Sequence, residues 1–91
     1  MQMNQETNEI MQYPCEIAIK AMGKHEPGFE EVVVEIVARH VGELDNGCVS
    51  CRPSKGDNFL AVTIRVQAES REQMDRIYHE LTAHERVSLA L

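Results

Sequence analysis

The feature that most constrains the fold is the strict alternation of side chains across residues 60–68. A period of two is typical of a strand with one buried face and one accessible face. The pattern therefore predicts a central strand in a sheet that is covered on one side. The inward residues would be Leu60, Val62, Ile64, Val66 and Ala68, and the outward ones Ala61, Thr63, Arg65 and Gln67.

Three other segments carry weaker strand patterns. Residues 15–21 alternate in the same way, and Gly23 is expected to close that strand. Residues 48–52 follow an Asp-Asn-Gly turn and predict a short strand, and residues 87–91 alternate again. Pro53 follows the short strand and indicates a sheet edge, because proline cannot donate to a hydrogen-bond ladder.

Two segments show helical spacing. An apolar stripe runs through residues 29–41, with Pro27 expected in the first turn and Gly42 as the residue after the C-cap. Ser70 and Gln73 have the spacing of a capping box and predict the start of a second helix. Its inward stripe would consist of Met74, Ile77, Tyr78 and Leu81.

The predicted order is β-α-β-β-α-β. Right-handed crossovers then place both helices on one face of a four-stranded antiparallel sheet with strand order 4-1-3-2. The sequence therefore predicts an α+β, ferredoxin-like sandwich: one domain over residues 13–91, preceded by a flexible N-terminal arm over residues 1–12. The open face of the sheet is expected to display Glu16, Ala18, Lys20, Arg52, Ala61, Thr63, Arg65, Gln67, Arg86 and Ser88.

Charge and hydropathy bear on the class of function. The chain has 15 acidic and 9 basic residues and a net charge of −6, which disfavours nucleic acid as a partner. It contains no apolar run of the roughly 20 residues that a membrane-spanning helix needs, and residues 1–6 do not resemble an export signal. A cytoplasmic protein without membrane contact is expected.

The reactive side chains do not form a recognisable catalytic or metal-binding pattern. Three cysteines without an export signal predict free thiols. Cys48 and Cys51 have C-x-x-C spacing, but in a strand the two side chains point to opposite faces. The histidines are scattered along the chain, so we expect no metal, no cofactor and no enzymatic activity.

Several core and turn segments resemble the YbeD family of small bacterial proteins of unknown function. They are residues 13–14, 19–23, 52–56, 62–64 and 78–81, together with the C-terminal residues 87–91. The resemblance implies an ACT-like variant of the fold, similar to regulatory domains that bind amino acids at dimer interfaces, and a loose link to lipoate metabolism. A ligand in such a domain would lie near the loop after the first strand, at Gly23, Lys24, His25 and Gly28.

Two functional hypotheses remain open from the sequence. The leading one is a non-enzymatic regulatory or protein-interaction module that uses the open face and the second strand, because an unpaired edge invites pairing with another chain. That edge comprises Cys48, Val49, Ser50, Cys51 and Arg52, and the partner would be another protein or a second copy in a weak homodimer. The alternative is an ACT-like sensor of a small molecule such as an amino acid.

Overall fold

A computed structural model describes residues 12–91. The predicted N-terminal arm lies outside the described residues except for Gln12, which is exposed and has no regular secondary structure. The elements are β1 (Cys15–Lys24), α1 (Phe29–Val41), β2 (Val49–Pro53), β3 (Phe59–Ala68), α2 (Arg71–Ala83) and β4 (Leu89–Ala90).

The four strands form one antiparallel sheet in the order β2-β3-β1-β4. This order confirms the predicted ferredoxin-like fold. β1 and β3 pair along their whole length, from Cys15 opposite Ala68 to Lys24 opposite Phe59. The segment with the strictest alternation therefore occupies a central position, as expected.

The core lies between the sheet and the two helices. Every second residue of the central strands faces the helices, and the apolar stripes of α1 and α2 face the sheet. Each fully buried side chain of this kind contributes roughly 1.5 to 3 kcal/mol to stability. The largest fully buried residues are Phe29, Ile19, Ile36, Ile64, Ile77, Leu81, Val33, Val37 and Val62.

The helix ends show two confirmed predictions and one error. The Ser70 hydroxyl accepts a hydrogen bond from the Gln73 N–H at 3.1 Å, which confirms Ser70 as the N-cap, while the Gln73 side-chain oxygen accepts from the Glu69 N–H at 2.8 Å instead of from Ser70. Gly42 has φ 91° and its N–H donates to the Ala38 carbonyl, so it terminates α1 as predicted. The prediction for Pro27 was wrong: α1 begins at Phe29, after Gly28 at the N-cap with φ 87°.

Gly23 lies inside β1 and does not close it, because the strand continues to Lys24. A Cβ atom at Gly23 would lie 2.3 Å from the Arg86 carbonyl oxygen and 2.5 Å from a ring carbon of Phe29. Real Cβ atoms do not approach other atoms so closely. The glycine therefore allows β1, α1 and the segment before β4 to pack together.

The last strand is shorter than predicted, and its alternation is interrupted. The N–H of Ser88 donates to the Met22 carbonyl at 2.7 Å, while Leu89 is the residue aligned with Met22. Ser88 and Leu89 thus both lie opposite Met22, and two residues opposite one is the arrangement of a β-bulge. The predicted alternation, with Arg86 and Ser88 outward, implies that Val87, Leu89 and Leu91 point inward. Val87 is buried as expected, but beyond the bulge Leu89 and Leu91 are exposed, so the expectation was wrong for these two residues.

Candidate functional site

The open face of the sheet is the side that points away from the helices. Its side chains form rows across the strands, because directly opposed residues in an antiparallel sheet point to the same side. One row contains Leu89, Met22, Ala61 and Arg52. The next contains Lys20, Thr63 and Ser50, and Leu91 extends it because Leu91 and Lys20 exchange two backbone hydrogen bonds of 2.8 and 3.0 Å.

Exposed apolar side chains gather on this face. Among the described residues, the large hydrophobic side chains that are exposed are Phe59 at 41%, Leu89 at 47% and Leu91 at 64%. All three lie on the open face, near the half-buried Met22 and Ala61. We call these five residues the apolar patch. Grouped exposed hydrophobic residues, unlike scattered ones, are typical of interaction sites.

The same face carries a cluster of cationic side chains. Lys20, Lys24, Arg52 and Arg65 are all exposed, and the alternation of β1, β2 and β3 places each of them on the open face. Glu16 is the one acidic residue that the pairing of these strands places on the open face. The open face is thus net positive in a protein whose total charge is −6.

The helix side has the opposite charge. Exposed carboxylates on the two helices outnumber the exposed arginines there; they are Glu30, Glu31, Glu35, Glu72 and Asp75, against Arg39, Arg71 and Arg76. The two sides of the molecule therefore differ in the sign of their charge as well as in their apolar exposure.

One residue predicted on the open face lies elsewhere. The Arg86 guanidinium lies 5.9 Å from the centre of the Phe29 ring and donates to the carbonyls of Glu26 and Pro27 at 3.3 and 2.9 Å. It therefore holds the loop between β1 and α1. Ser88, which was predicted on the same face, is exposed and lines a shallow cavity together with Lys24 of the open face.

The edge strand β2 is paired with β3 on one side, and the other described strands lie beyond β3. In an antiparallel sheet, the N–H and C=O groups of successive residues point alternately to the neighbouring strand on one side and on the other. Because Lys20 bonds to Leu91, the backbone groups of Lys20 point to the β4 side, and this fixes the direction of every other residue in the paired strands. Through the register, the backbone groups of Ser50 and Arg52 point to β3. The backbone groups of Val49, Cys51 and Pro53 point away from β3, towards the free edge of the sheet; we call these three the outward residues of β2.

Few of these outward groups are available to another strand. Proline has no N–H, and the Val49 N–H already donates to the Asn46 carbonyl. Of the three outward residues of β2, Cys51 is the one with an N–H that could donate to an added strand. Cys48, which was predicted to belong to this edge, precedes the strand in a 3-10 turn (Asn46–Cys48), and its thiol donates to the Asp45 carbonyl at 2.9 Å.

The thiol of Cys51 is unsuited to nucleophilic chemistry. Cys51 is aligned with the buried Val62 and thus faces the helix side. Partial burial raises the pKa of the Cys51 thiol to about 11, and the nearby Glu30 carboxylate acts in the same direction. The thiol is therefore protonated at neutral pH. Within residues 12–91, no three histidine, cysteine or acidic side chains group into a metal site.

The loop after β1 contains the residues that the sequence suggested for a ligand. The structure brings His25 and Gly28 together at a shallow cavity of about 340 Å³, which Leu60 also lines. His25 Nδ1 lies 3.7 Å from a carboxylate oxygen of Asp57. Gly23 and Lys24 do not line this cavity: Gly23 is enclosed by Phe29, and Lys24 lies on the open face.

A polar cluster joins the two helices. The Glu80 carboxylate pairs with Arg39 and, at 2.7 Å, with His40 Nε2. The hydrogen bond from Arg39 and that with His40 lower the pKa of Glu80. Sequence analysis missed this cluster because its members lie on different helices. The arrangement fastens α1 to α2.

Sequence analysis also missed Met22, Leu89 and Leu91 as residues of the open face. The alternation of β1, extended by one position at its end, would have placed Met22 on the open face. The bulge that redirects Leu89 and Leu91 has no marker in the sequence, since no glycine or proline lies between residues 84 and 91.

A small antiparallel sheet with two helices on one side and an accessible opposite face defines a ferredoxin-like α+β protein. The profile of the family described as "Protein of unknown function (DUF493)" matches residues 8–91. The chain belongs to this family, whose members are also called UPF0250 proteins. The suspected relation to YbeD is confirmed, because YbeD is a protein of this family.

Similar proteins occur in several bacteria. A UPF0250 protein of Paraburkholderia phytofirmans is 40% identical over 89 residues, which cover 98% of this chain and 100% of the relative. A UPF0250 protein of Leptothrix cholodnii is 44% identical over 82 residues, which cover 90% of each chain. One from Neisseria gonorrhoeae is 37% identical over the same share of both chains. In the described part of the chain, no helix is long and apolar enough to cross a bilayer.

Proposed function

We propose that this protein is a non-enzymatic interaction module that binds a protein partner through the open face. The observation that carries the proposal is the location of Phe59, Leu89 and Leu91, whose exposed side chains share one face of the sheet. An interface with an apolar centre and a charged rim has this composition. The exposed lysines and arginines around the apolar patch would form the rim.

The open face is better suited to this role than the edge of β2. Strand addition depends on several consecutive main-chain hydrogen bonds. At β2 the missing N–H of Pro53 and the occupied N–H of Val49 leave Cys51 as the one ready donor among the outward residues. Binding to the open face does not depend on main-chain hydrogen bonds, because the contacts there would be made by side chains.

A comparison of two variants tests the proposal. Immobilised wild-type protein, Leu89→Asp and Cys51→Pro would be exposed to an extract of the native cells, and the retained proteins would be quantified. We expect a partner that the wild type and Cys51→Pro retain equally and that Leu89→Asp loses. Cys51→Pro removes the outward donor of β2 while it leaves the bonds to β3 in place.

The opposite pattern would contradict the proposal. If Cys51→Pro loses the partner and Leu89→Asp retains it, the edge of β2 is the working surface. Circular dichroism and thermal unfolding of both variants would verify that each remains folded. His79→Asp on the exposed side of α2 is a matched control for the added charge.

A small-molecule sensor is a second candidate, favoured by the cavity of about 340 Å³ beside His25 and Gly28. Thermal unfolding with a panel of amino acids and lipoyl compounds would test it; the panel follows the resemblance to ACT-like regulatory domains and the suggested link to lipoate metabolism. A ligand at 100 times its Kd should stabilise the protein by about 2.7 kcal/mol. The stabilisation should be weaker in His25→Ala. No shift with any compound of the panel would count against a sensor of these ligands.

A further inference from the structure

We infer that the partner of the open face is an amphipathic α-helix whose apolar stripe is flanked by acidic residues. This inference rests on the proposed function and specifies the chemistry of the partner. It combines three properties of the face: the saturated backbone of its central strands, the position of the apolar patch and the sign of the surrounding charge.

The backbone of the two central strands beneath the apolar patch has little to offer a ligand. β1 and β3 lie in the interior of the sheet, and their N–H and carbonyl groups are used in ladders on both sides over the region of the patch. A partner that is desolvated there must therefore satisfy its own backbone groups. An α-helix does so within the segment, whereas an extended peptide would leave its groups unpaired.

The dimensions of the apolar patch suit one helix face. The patch crosses from β4 over β1 to β3, and neighbouring strands are about 4.8 Å apart. Two such spacings give a width of about 10 Å, close to the diameter of a helix with its side chains. A helix with apolar residues at positions i, i+3, i+4 and i+7 would place a continuous stripe on Met22, Leu89 and Leu91.

The charges around the patch determine what flanks that stripe. Lys20 and Lys24 project from β1 beside Met22, and Arg52 and Arg65 lie towards the β2 side of the face. Ion pairs between residues 12 and 91 involve other cationic groups, namely Arg39, His25 and His40. The four open-face cations are thus available to carboxylates of a partner, and acidic flanks would complement them.

A second copy of the chain is a poorer occupant. Two open faces stacked on each other would oppose four cations with four cations, which costs free energy. The acidic helix side of a second copy could meet the open face, but such a head-to-tail contact does not close and would produce chains of molecules. An anionic membrane would attract the open face but repel the rest of a molecule with charge −6.

Synthetic peptides of about 18 residues, or five helical turns, can test the inference with the full-length protein. One peptide has a leucine stripe flanked by glutamates, a second has the same stripe flanked by lysines, and a third has the acidic composition in scrambled order. Binding would be measured by fluorescence anisotropy and located by amide chemical shifts. We expect the acidic amphipathic peptide to bind at least about tenfold more tightly than either control and to shift β1, β3 and β4.

Two charge reversals provide the matched comparison. Lys20→Glu on the open face should weaken binding of the acidic peptide by about tenfold or more. Arg76→Glu on the exposed side of α2 changes the net charge equally and should have little effect. Raising the ionic strength from about 0.05 to about 0.5 M should weaken binding of the acidic peptide to wild type, because salt screens the charges.

Several results would overturn the inference. Equal binding of the acidic and basic peptides would show that charge does not select the partner. Chemical-shift changes confined to α1 and α2 would show that the peptide binds the helix side and not the open face. Sedimentation of the protein with anionic lipid vesicles would indicate a membrane, and concentration-dependent dimers lost in Leu89→Ser would indicate a second copy. If Leu89→Asp abolishes partner retention while no acidic peptide binds, the open face is the interaction surface but its occupant is not an acidic helix.

Discussion

The two faces of the sheet are built from the same strands, but the helices cover only one of them. In β3, Val62 and Ile64 are 0% exposed beneath the helices, whereas the intervening Thr63 is accessible on the open face. In β1, the buried Ala21 is followed by Met22 in the apolar patch. One face holds the fold together, and the other leaves apolar side chains uncovered. Apolar character alone therefore does not separate the core from the uncovered face, whereas the direction of the side chain does.

The strongest test of this difference is a pair of neighbouring substitutions in β3. Ile64→Ala removes a fully buried side chain and should lower the free energy of unfolding by roughly 2 to 5 kcal/mol. Thr63→Ala on the open face should lower it by no more than about 1 kcal/mol, the range of strand propensities. Urea denaturation of both variants would measure the values. Similar losses for the two would mean that the open face is also part of the folded core.

The close packing around Gly23 should produce the next largest effect. Gly23→Ala places a Cβ atom against the Arg86 carbonyl and the Phe29 ring, so we expect a loss of about 1 to 3 kcal/mol. Gly47→Ala is the control, because no atom lies within 4 Å of its added Cβ. Thermal unfolding would compare them. An equal melting temperature for wild type and Gly23→Ala would show that this junction is looser than described.

Removing an exposed apolar side chain should affect stability much less. Leu89→Ser shortens a side chain that is 47% exposed, and we expect the free energy of unfolding to change by less than about 1 kcal/mol. Binding of the acidic amphipathic peptide should be lost in the same variant. A large destabilisation, measured by urea denaturation, would instead assign Leu89 to the core of the domain.

The smallest expected effect concerns the link between the helices. The pKa of Glu80 in the folded protein is lower than its ordinary value of 4.5, so the ionised carboxylate stabilises the fold above that pH. This contribution should disappear as the pH falls below 4.5 and Glu80 becomes protonated. Glu80→Gln should therefore be slightly less stable than wild type at pH 7, and the difference should shrink in acid. Salt will weaken the effect, because the pair is accessible to solvent.

The sequence was sufficient for the architecture because side-chain period and turn residues act locally. The alternation of residues 60–68, the N-cap residue Ser70 and the C-terminal glycine of α1 all determine structure within a few residues. The bulge near Ser88 depends on how the last strand meets Met22, a contact between distant parts of the chain. The exposure of Leu89 and Leu91 follows from that contact, so the apolar patch could not be predicted from local patterns.

The edge strand β2 shows the same difference between what local sequence patterns predict and what depends on tertiary contacts. From the sequence, β2 presented an unpaired edge that Pro53 partly protects. The register additionally reveals that the outward N–H of Val49 is occupied by the Asn46 carbonyl and that Pro53 lies in an outward position. Both facts depend on tertiary pairing. The role of residues 48–52 as an interaction edge stays a prediction, and it is the main competitor of the open face.

Site-specific photo-crosslinking in cells tests the choice between these surfaces most directly. A photoreactive phenylalanine analogue would replace, in separate variants, Phe59 on the open face, Cys51 at the β2 edge and His79 on the helix side. We expect a crosslinked partner from position 59, lost when Leu89→Asp is added, and none from positions 51 and 79. Crosslinks from position 51 or 79 without any from position 59 would contradict the open face as the working surface of this protein.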